Sequence, residues 1–489
     1  MLKRQRQALG IGFLRAKGAA TLAPYVVCSF LAAGLSLDLR LSTVVLVWLA
    51  IVASVFAWPD LGLVLAVTFS STVKGAVLEH LQGPDPTVGL FLLTATALAI
   101  RRRTGATLPP PVFVVCTVAF LGLLTVSIAY SPLPSWGVQV VLRFALLTLS
   151  VLVGVVVWLQ TEEDVKRLLR MFAVAALGTG IANLLVIVVR LRSANPFEGF
   201  RALASGSAIG MGTILATGLV AAWVCSRSIE HRLGRVLWRC AMLIGALELI
   251  GLNTRGPVLG LLLAVVIVGV TVREARRQGL VALGLLGVVA AGIASALPHF
   301  VSRYALTTVL GGESARARVD AWRLVGQHFG DWFWTGAGAF GYAQEHAHAF
   351  GLPLELYGST PHNLYLDVFC HVGFPGVLLF SLLLWLPVRD SLAVARHGSA
   401  WSRPLGAAVL GGLIICLTNG LFSLSLIDTR VLWFFGGLAL AVRRIVASPG
   451  ASAAGTRRTT RYAAEETTSW GETTSWGAPL PLRRTGGVP

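Results

Sequence analysis

The sequence predicts an all-α membrane protein, a polytopic helix bundle of about 12–14 transmembrane helices with one large extracytoplasmic loop. Three observations predict it. Of the 489 residues, 55% are hydrophobic and 13% charged, with a mean hydropathy of +0.75; a water-soluble chain of this length carries more charge to coat its surface. The apolar residues gather into runs of roughly 17–25 residues, the length of a helical span, without the period-2 alternation of barrel strands. Inside lipid every backbone N–H and C=O needs an internal partner, which leaves helices. Finally, the basic residues cluster in alternate connections between these runs.

Taken in order, the runs lie near residues 20–37, 41–58, 61–79, 87–100, 111–129, 138–159, 171–189, 203–225, 236–253, 257–272, 279–297, 363–388, 405–426 and 430–445. The run 61–79 carries Lys74, and 87–100 is short for a span. No cleavable signal peptide is evident, so the basic start (Lys3, Arg4, Arg6, Arg15, Lys17) is expected to stay in the cytoplasm. The predicted cytoplasmic connections then hold Arg101–Arg103, Lys166/Arg167/Arg170, Arg227/Arg232/Arg235/Arg239, Arg273/Arg276/Arg277, Arg389/Arg396/Arg403 and Arg443/Arg444. A net charge of +18 would suggest nucleic acid in a soluble chain. Here the alternation assigns it to the positive-inside rule, and no nucleic acid is expected as a partner. The six cysteines (Cys28, Cys116, Cys225, Cys240, Cys370, Cys416) lie in apolar runs, without metal-site spacing, and read as packing residues.

The expected organisation is a basic N-terminus (1–19), helices with short connections (20–297), a large extracytoplasmic loop (298–362), further helices (363–446) and a tail (447–489). The tail is rich in Gly, Ser, Thr, Pro and Arg, repeats TTSWG at 467–471 and 473–477, and has no apolar periodicity; it is expected to be disordered. A loop as long as 298–362 is usually functional.

Several arginines fall on the predicted outer side, against the positive-inside bias: Arg190, Arg192, Arg201, Arg255, Arg303, Arg316, Arg318 and Arg323. They either snorkel at the interface or hold an anionic substrate, since guanidinium grips phosphate with paired hydrogen bonds. The stretch 313–329 reads as an amphipathic helix, with Trp322, Val325 and Phe329 on an apolar stripe and Arg318 four residues before Trp322. Arg316, Asp320, Arg323 and Gln327 share the opposite stripe. An arginine on a buried face must be paired with an acid or a ligand, which singles out Arg318.

Ser359-Thr-Pro-His-Asn363 precedes an apolar run. Thr360 is the expected N-cap and Pro361 a first-turn proline, placing His362 in the first turn, where the positive helix end favours neutral imidazole. The free N–H groups there also suit a phosphate. Asn253-Thr-Arg-Gly-Pro257 is a tight outer connection in which Arg255 serves either as an anchor or as a ligand. Glu345-His-Ala-His348 resembles a metal cluster only superficially: no third ligand has suitable spacing, and His346 and His348 point the same way only in an extended segment. His371 reads as a polar packing residue.

In this order the segments resemble the O-antigen ligase/polymerase superfamily of bacterial membrane glycosyltransferases. The resemblance rests on Thr254-Arg-Gly256, Arg318-Val-Asp-Ala-Trp322, Trp334-Thr-Gly-Ala-Gly-Ala-Phe340, Pro361-His-Asn-Leu-Tyr365 and Gly373-Phe-Pro-Gly376. It covers roughly 250–380 and implies a GT-C-like, multi-pass protein of the bacterial inner membrane. The implied enzyme needs no cofactor or metal and takes a glycan from a polyprenyl-diphosphate carrier to a hydroxyl on a lipid or glycan acceptor. By the same resemblance Arg255 and Arg318 hold the diphosphate and His362 is the base. Arg201 is a further, less closely matching arginine, and Arg316, Trp322, Asn363 and Tyr365 complete the expected substrate site. A ligase and a polymerase share this loop. A transporter of lipid-linked sugars would instead show mid-membrane charges and repeated spans, and no convincing repeat is found.

Overall fold

The computed structural model describes residues 50–72, 86–100, 108–190, 208–227, 229–252, 254–272, 276–277, 280–281, 284, 287, 313–351 and 360–448. Arg201, the expected span 20–37, half of 41–58, most of 279–297, the first part of the large loop and the tail from 449 lie outside these residues.

The described residues form an all-helical membrane bundle. In chain order the helices are α1 (Pro59–Thr72), α2 (Pro86–Ile100), α3 (Pro111–Val126) and α4 (Pro134–Arg143). A π-helical turn (Phe144–Leu149) carries α4 on into α5 (Ser150–Trp158). Next come α6 (Glu162–Arg190), α7 (Ala208–Ser226), α8 (Arg232–Gly251) and α9 (Arg255–Thr271). The long loop then contributes α10 (Glu313–Gln327), α11 (Phe329–Trp332) and α12 (Gly341–Phe350). The chain closes with α13 (Leu364–His397), α14 (Ser402–Gly420) and α15 (Arg430–Ala447). Among the described residues four helical segments are long and apolar enough to cross a membrane: Pro134–Trp158, Ala208–Ser226, Leu364–His397 and Ser402–Gly420. Shorter apolar helices occupy Pro59–Thr68, Gly89–Ile100, Pro111–Val126 and Arg255–Thr271.

Helices in lipid gain little from the hydrophobic effect against one another, so close packing must hold them. α14 is the central element: α9 approaches it until a Cβ on Gly260 would stand 2.9 Å from the Ile415 backbone. Phe120, Phe144, Phe380 and Trp433 interlock edge-to-face or tilted, with centroids 5.5–6.0 Å apart, joining α3, α13 and α15 across the π turn.

The two ends of the bundle differ in chemistry. At one end buried Asp60 accepts from Trp158 Nε1 (2.5 Å) and Arg167 Nε (2.8 Å), and Arg167 also meets Asp164 (3.1 Å). Arg444 donates to the Leu159 carbonyl there. The starts of α1, α6 and α8 and the ends of α5, α13 and α15, with Arg232, Arg396 and Arg443, share this basic end. At the opposite end lie the turn 127–133, the start of α9, helices α10–α12, the start of α13 and the connection 421–429. A second, small core of Ala321, Leu324, Val325, Trp332, Tyr342, Phe369 and Cys370 seats α10–α12 on α13.

Candidate functional site

The site is framed by a break in α13. Gly373 takes φ 66° and ψ −166°, which interrupts the helix two residues before Pro375. The break frees backbone groups, and the segment 333–340 takes them up. Ala337 N–H donates to the Cys370 carbonyl (2.7 Å), and Phe374 N–H donates to the Phe333 carbonyl (2.7 Å). The crossing is tight enough that a Cβ on Gly336 (φ +73°) would lie 2.7 Å from Cys370 O and Val372 N. A Cβ on Gly373 would lie 2.7 Å from the carbonyl carbon of Trp334. The two glycine motifs are thus halves of one backbone interlock, and glycine is required where the chains cross.

The turn after α3 closes the other side of this segment. Tyr130 donates from its hydroxyl to Thr335 O (2.5 Å), Ser131 Oγ to Ala339 O (2.6 Å), and Ala339 N–H to Ser127 O (3.3 Å). Phe340, a non-glycine residue at φ 68°, stacks on Trp136 at 5.3 Å and donates its N–H to His371 Nδ1 (3.0 Å). That acceptor role puts the imidazole proton on Nε2, which faces Asp367 Oδ1 at 3.6 Å; the other Asp367 oxygen accepts from Leu426 N–H (2.8 Å). His371 is therefore a packing residue with a defined partner on each nitrogen. Sequence reasoning missed Tyr130 and Ser131; their only signal was a polar, proline-containing turn ending an apolar run.

Above this frame α10 packs with Ala321, Leu324 and Val325 buried, while Arg316 and Arg323 are exposed and Arg323 pairs with Asp320 (2.8 Å). Phe329 departs from the expected stripe: α10 stops at Gln327, so Phe329 opens α11, 52% exposed and stacked on Phe369. Trp322 is half-buried and donates its indole N–H to the Pro361 carbonyl (2.8 Å), pinning α10 to the segment before α13.

That segment differs from expectation in one respect. The N-cap of α13 is Asn363, whose Oδ1 accepts from Tyr365 N–H (3.0 Å) and Leu366 N–H (3.2 Å); Thr360 is not the cap. Asparagine at N-cap satisfies two free donors at once, so the helix begins at Leu364. His362 consequently stands just outside the helix, exposed, at φ 50°. His362 and Phe340 are the non-glycine residues with positive φ among the described residues, and such strain is held only where surroundings over-determine it. Tyr365 lies between α13 and α14 and donates its hydroxyl to Leu417 O (3.2 Å). Trp322, Asn363 and Tyr365 thus engage Nε1, Oδ1 and the hydroxyl within the protein.

Arg255 opens α9 after the N-cap Thr254, and the start of that helix is wedged against α14, where Gly256 leaves room for Asn419. Arg255 and Arg318 sit close enough that each repels the other's charge: burial first, then Arg255, lower the pKa of Arg318. Arg318 Nε is buried with no hydrogen-bond partner. Although His362 keeps contact with solvent, the protein packed around it partly desolvates the ring; that, then Arg318, then His346, depress its pKa below the ordinary histidine value. The structure therefore brings together Arg255, Arg318, His362 and His346, and leaves Arg316 on the far side of α10. His346 and His348 lie on the helix α12, so the two rings point apart, and among the described residues no three His, Cys, Asp or Glu side chains form a cluster.

The family model described as O-antigen ligase matches residues 240–381. That segment runs from α8 through the interlock in α13 and includes Arg255, Arg318, Trp322 and His362. No curated protein matches the chain. Over residues 240–381, then, the chain is similar to the O-antigen ligase family, and this is the stretch that holds the arginine, tryptophan, glycine and histidine motifs.

Proposed function

We propose that this end of the bundle is the active site of a glycosyltransferase that moves a glycan from a polyprenyl diphosphate to a hydroxyl on a lipid or glycan acceptor. One observation carries the reading: Arg318 keeps a buried Nε with no protein partner, next to a second arginine and a strained histidine. A buried guanidinium N–H without a partner is unfavourable unless a ligand meets it, and a diphosphate supplies both the acceptor and the opposite charge. The basic residues at the opposite end support an extracytoplasmic position for the site in the inner membrane.

In the proposed step His362 takes the proton of the acceptor hydroxyl as its oxygen bonds to the anomeric carbon. The bond from that carbon to the diphosphate oxygen breaks, and its electron pair stays on the diphosphate. The leaving group gains one negative charge, which Arg318 and Arg255 stabilise as it develops. Neutral imidazole is the reactive form. A depressed pKa in the free protein keeps His362 in that form at neutral pH and sets the acid limit of activity below about 6.5, the ordinary histidine value.

The test is the pH dependence of transfer by purified protein in nanodiscs, given a lipid-linked glycan and a membrane extract as acceptor source. Wild-type kcat, read at saturating lipid-linked glycan so that binding does not enter, should be constant at neutral pH and fall only as pH drops through the acid midpoint of His362. His362→Gln should lose about 10²–10⁴-fold in rate together with that midpoint. A His362→Gln enzyme with wild-type rate and profile would remove the base from this account. Product length separates a ligase, which adds a finished glycan once, from a polymerase, which extends it.

A further inference from the structure

His346 is a polar group at this end of the bundle that the proposed reaction leaves unused. Its ring is held by Tyr342 one turn earlier (centroids 5.7 Å apart, 44°) and Phe350 one turn later (4.7 Å, 40°), so its direction is set by α12. Its Nδ1 is buried without a hydrogen-bond partner. A buried polar atom left unpaired costs roughly 1–3 kcal/mol, which a folded protein retains where another group is to be met.

We propose that His346 is a further anion-binding residue of this site, which takes up a proton when the carrier diphosphate settles beside Arg318 and Arg255. The inference rests on the reading of the site given above. The titratable and charged groups around His346 are His362 on the segment before α13, which itself faces Arg318 on α10, and Tyr342, Glu345 and His348 on its own helix. Beyond Tyr342 stand Asp367 and His371 on α13. The Asp367 oxygens are engaged by Leu426 and His371, and no carboxylate pairs with His346 among the described residues. In the free protein burial lowers the pKa of His346, so the imidazole is neutral near pH 7. A bound diphosphate reverses the local field and favours imidazolium. His362 must stay neutral to act as base, so charge taken up at His346 balances the diphosphate without disarming it.

The linkage has a definite sign. A group whose pKa rises on binding takes up protons in the window between its free and bound values, and affinity falls as pH rises through that window. Calorimetric titration of the full-length protein in nanodiscs tests this, with a short-chain prenyl diphosphate bearing one N-acetylglucosamine as probe. A diphosphate diester does not itself titrate between about pH 5 and 8, so protons counted in buffers of different ionisation enthalpy belong to the protein. Wild type should take up protons and bind about tenfold more tightly at the acid end for each pKa unit gained. His346→Gln should lose most of the uptake and the pH dependence, and His346→Arg should bind tightly across the range without uptake. Binding by His346→Gln with undiminished uptake and pH dependence overturns the inference while leaving the diphosphate site in place. No binding of the probe by wild type at any pH overturns the proposed function, and this inference with it.

Discussion

Arg318→Met should abolish glycan transfer while leaving the protein as stable as wild type or more so. The two effects have one cause. Arg318 lies on the inner side of α10, with buried Nε lacking a partner and Arg255 nearby, so the folded protein without ligand leaves one guanidinium donor unpaired beside a second cation. Methionine fills much of the same space beside Ala321 and Trp322 and removes that penalty, a gain of up to about 1 kcal/mol. The reaction, however, loses a fixed positive charge where the diphosphate develops its own, and such a group is worth about 10²–10³-fold in rate. Transfer assays alongside thermal unfolding in the same nanodiscs check both halves. Arg316→Met is the comparison: that side chain is exposed on the outer stripe, and neither property should change much. An Arg318→Met protein that transfers normally, or that unfolds well below wild type, would place Arg318 in a structural ion pair instead.

Gly336→Ala should have a large effect on folding. The new Cβ would meet Cys370 O and Val372 N at 2.7 Å, both backbone atoms of α13, at a φ of +73°. Neither the clash nor the dihedral can be relieved without pulling the 333–340 segment off the α13 break, for a cost of roughly 2–4 kcal/mol. Gly351→Ala isolates the clash from the dihedral. Its φ is +62° but nothing lies within 4 Å of the added Cβ, so about 1 kcal/mol is expected. Thermal unfolding of the two variants followed by size-exclusion chromatography should show a much lower midpoint for Gly336→Ala. Equal midpoints would mean that the interlock contributes only its backbone conformation.

The spans were legible because lipid exposure imposes a local rule: each described helix from α2 to α9, and from α13 to α15, overlaps an apolar run read from the sequence. The amphipathic pattern around Arg318 was legible for the same reason, since helical periodicity is local. Phe329 and Thr360 mark where local rules fail. Periodicity assumed that α10 continued past Gln327, and the sequence reading capped the next helix at Thr360, three residues before the Asn363 that caps it, in a segment held by the Trp322–Pro361 contact. The glycine motifs could be seen but not explained, because their partners across the α13 break are more than thirty residues away. His346 read as weak because its link to His362, on the segment before α13, is one that spacing alone does not show. Arg201 lies outside the described residues, and its place in the site remains a proposal of the sequence.

The central claim is chemical: the site breaks a bond to a diphosphate and makes one to an acceptor oxygen in a single coupled event. The most direct measurement follows both products at once in purified, EDTA-treated protein, counting polyprenyl diphosphate released and glycosidic bonds formed from one labelled lipid-linked glycan. The account predicts equal amounts of the two at every time point, both dependent on acceptor and both lost in Arg318→Met. Movement of the lipid-linked glycan across a bilayer with neither product formed would contradict it.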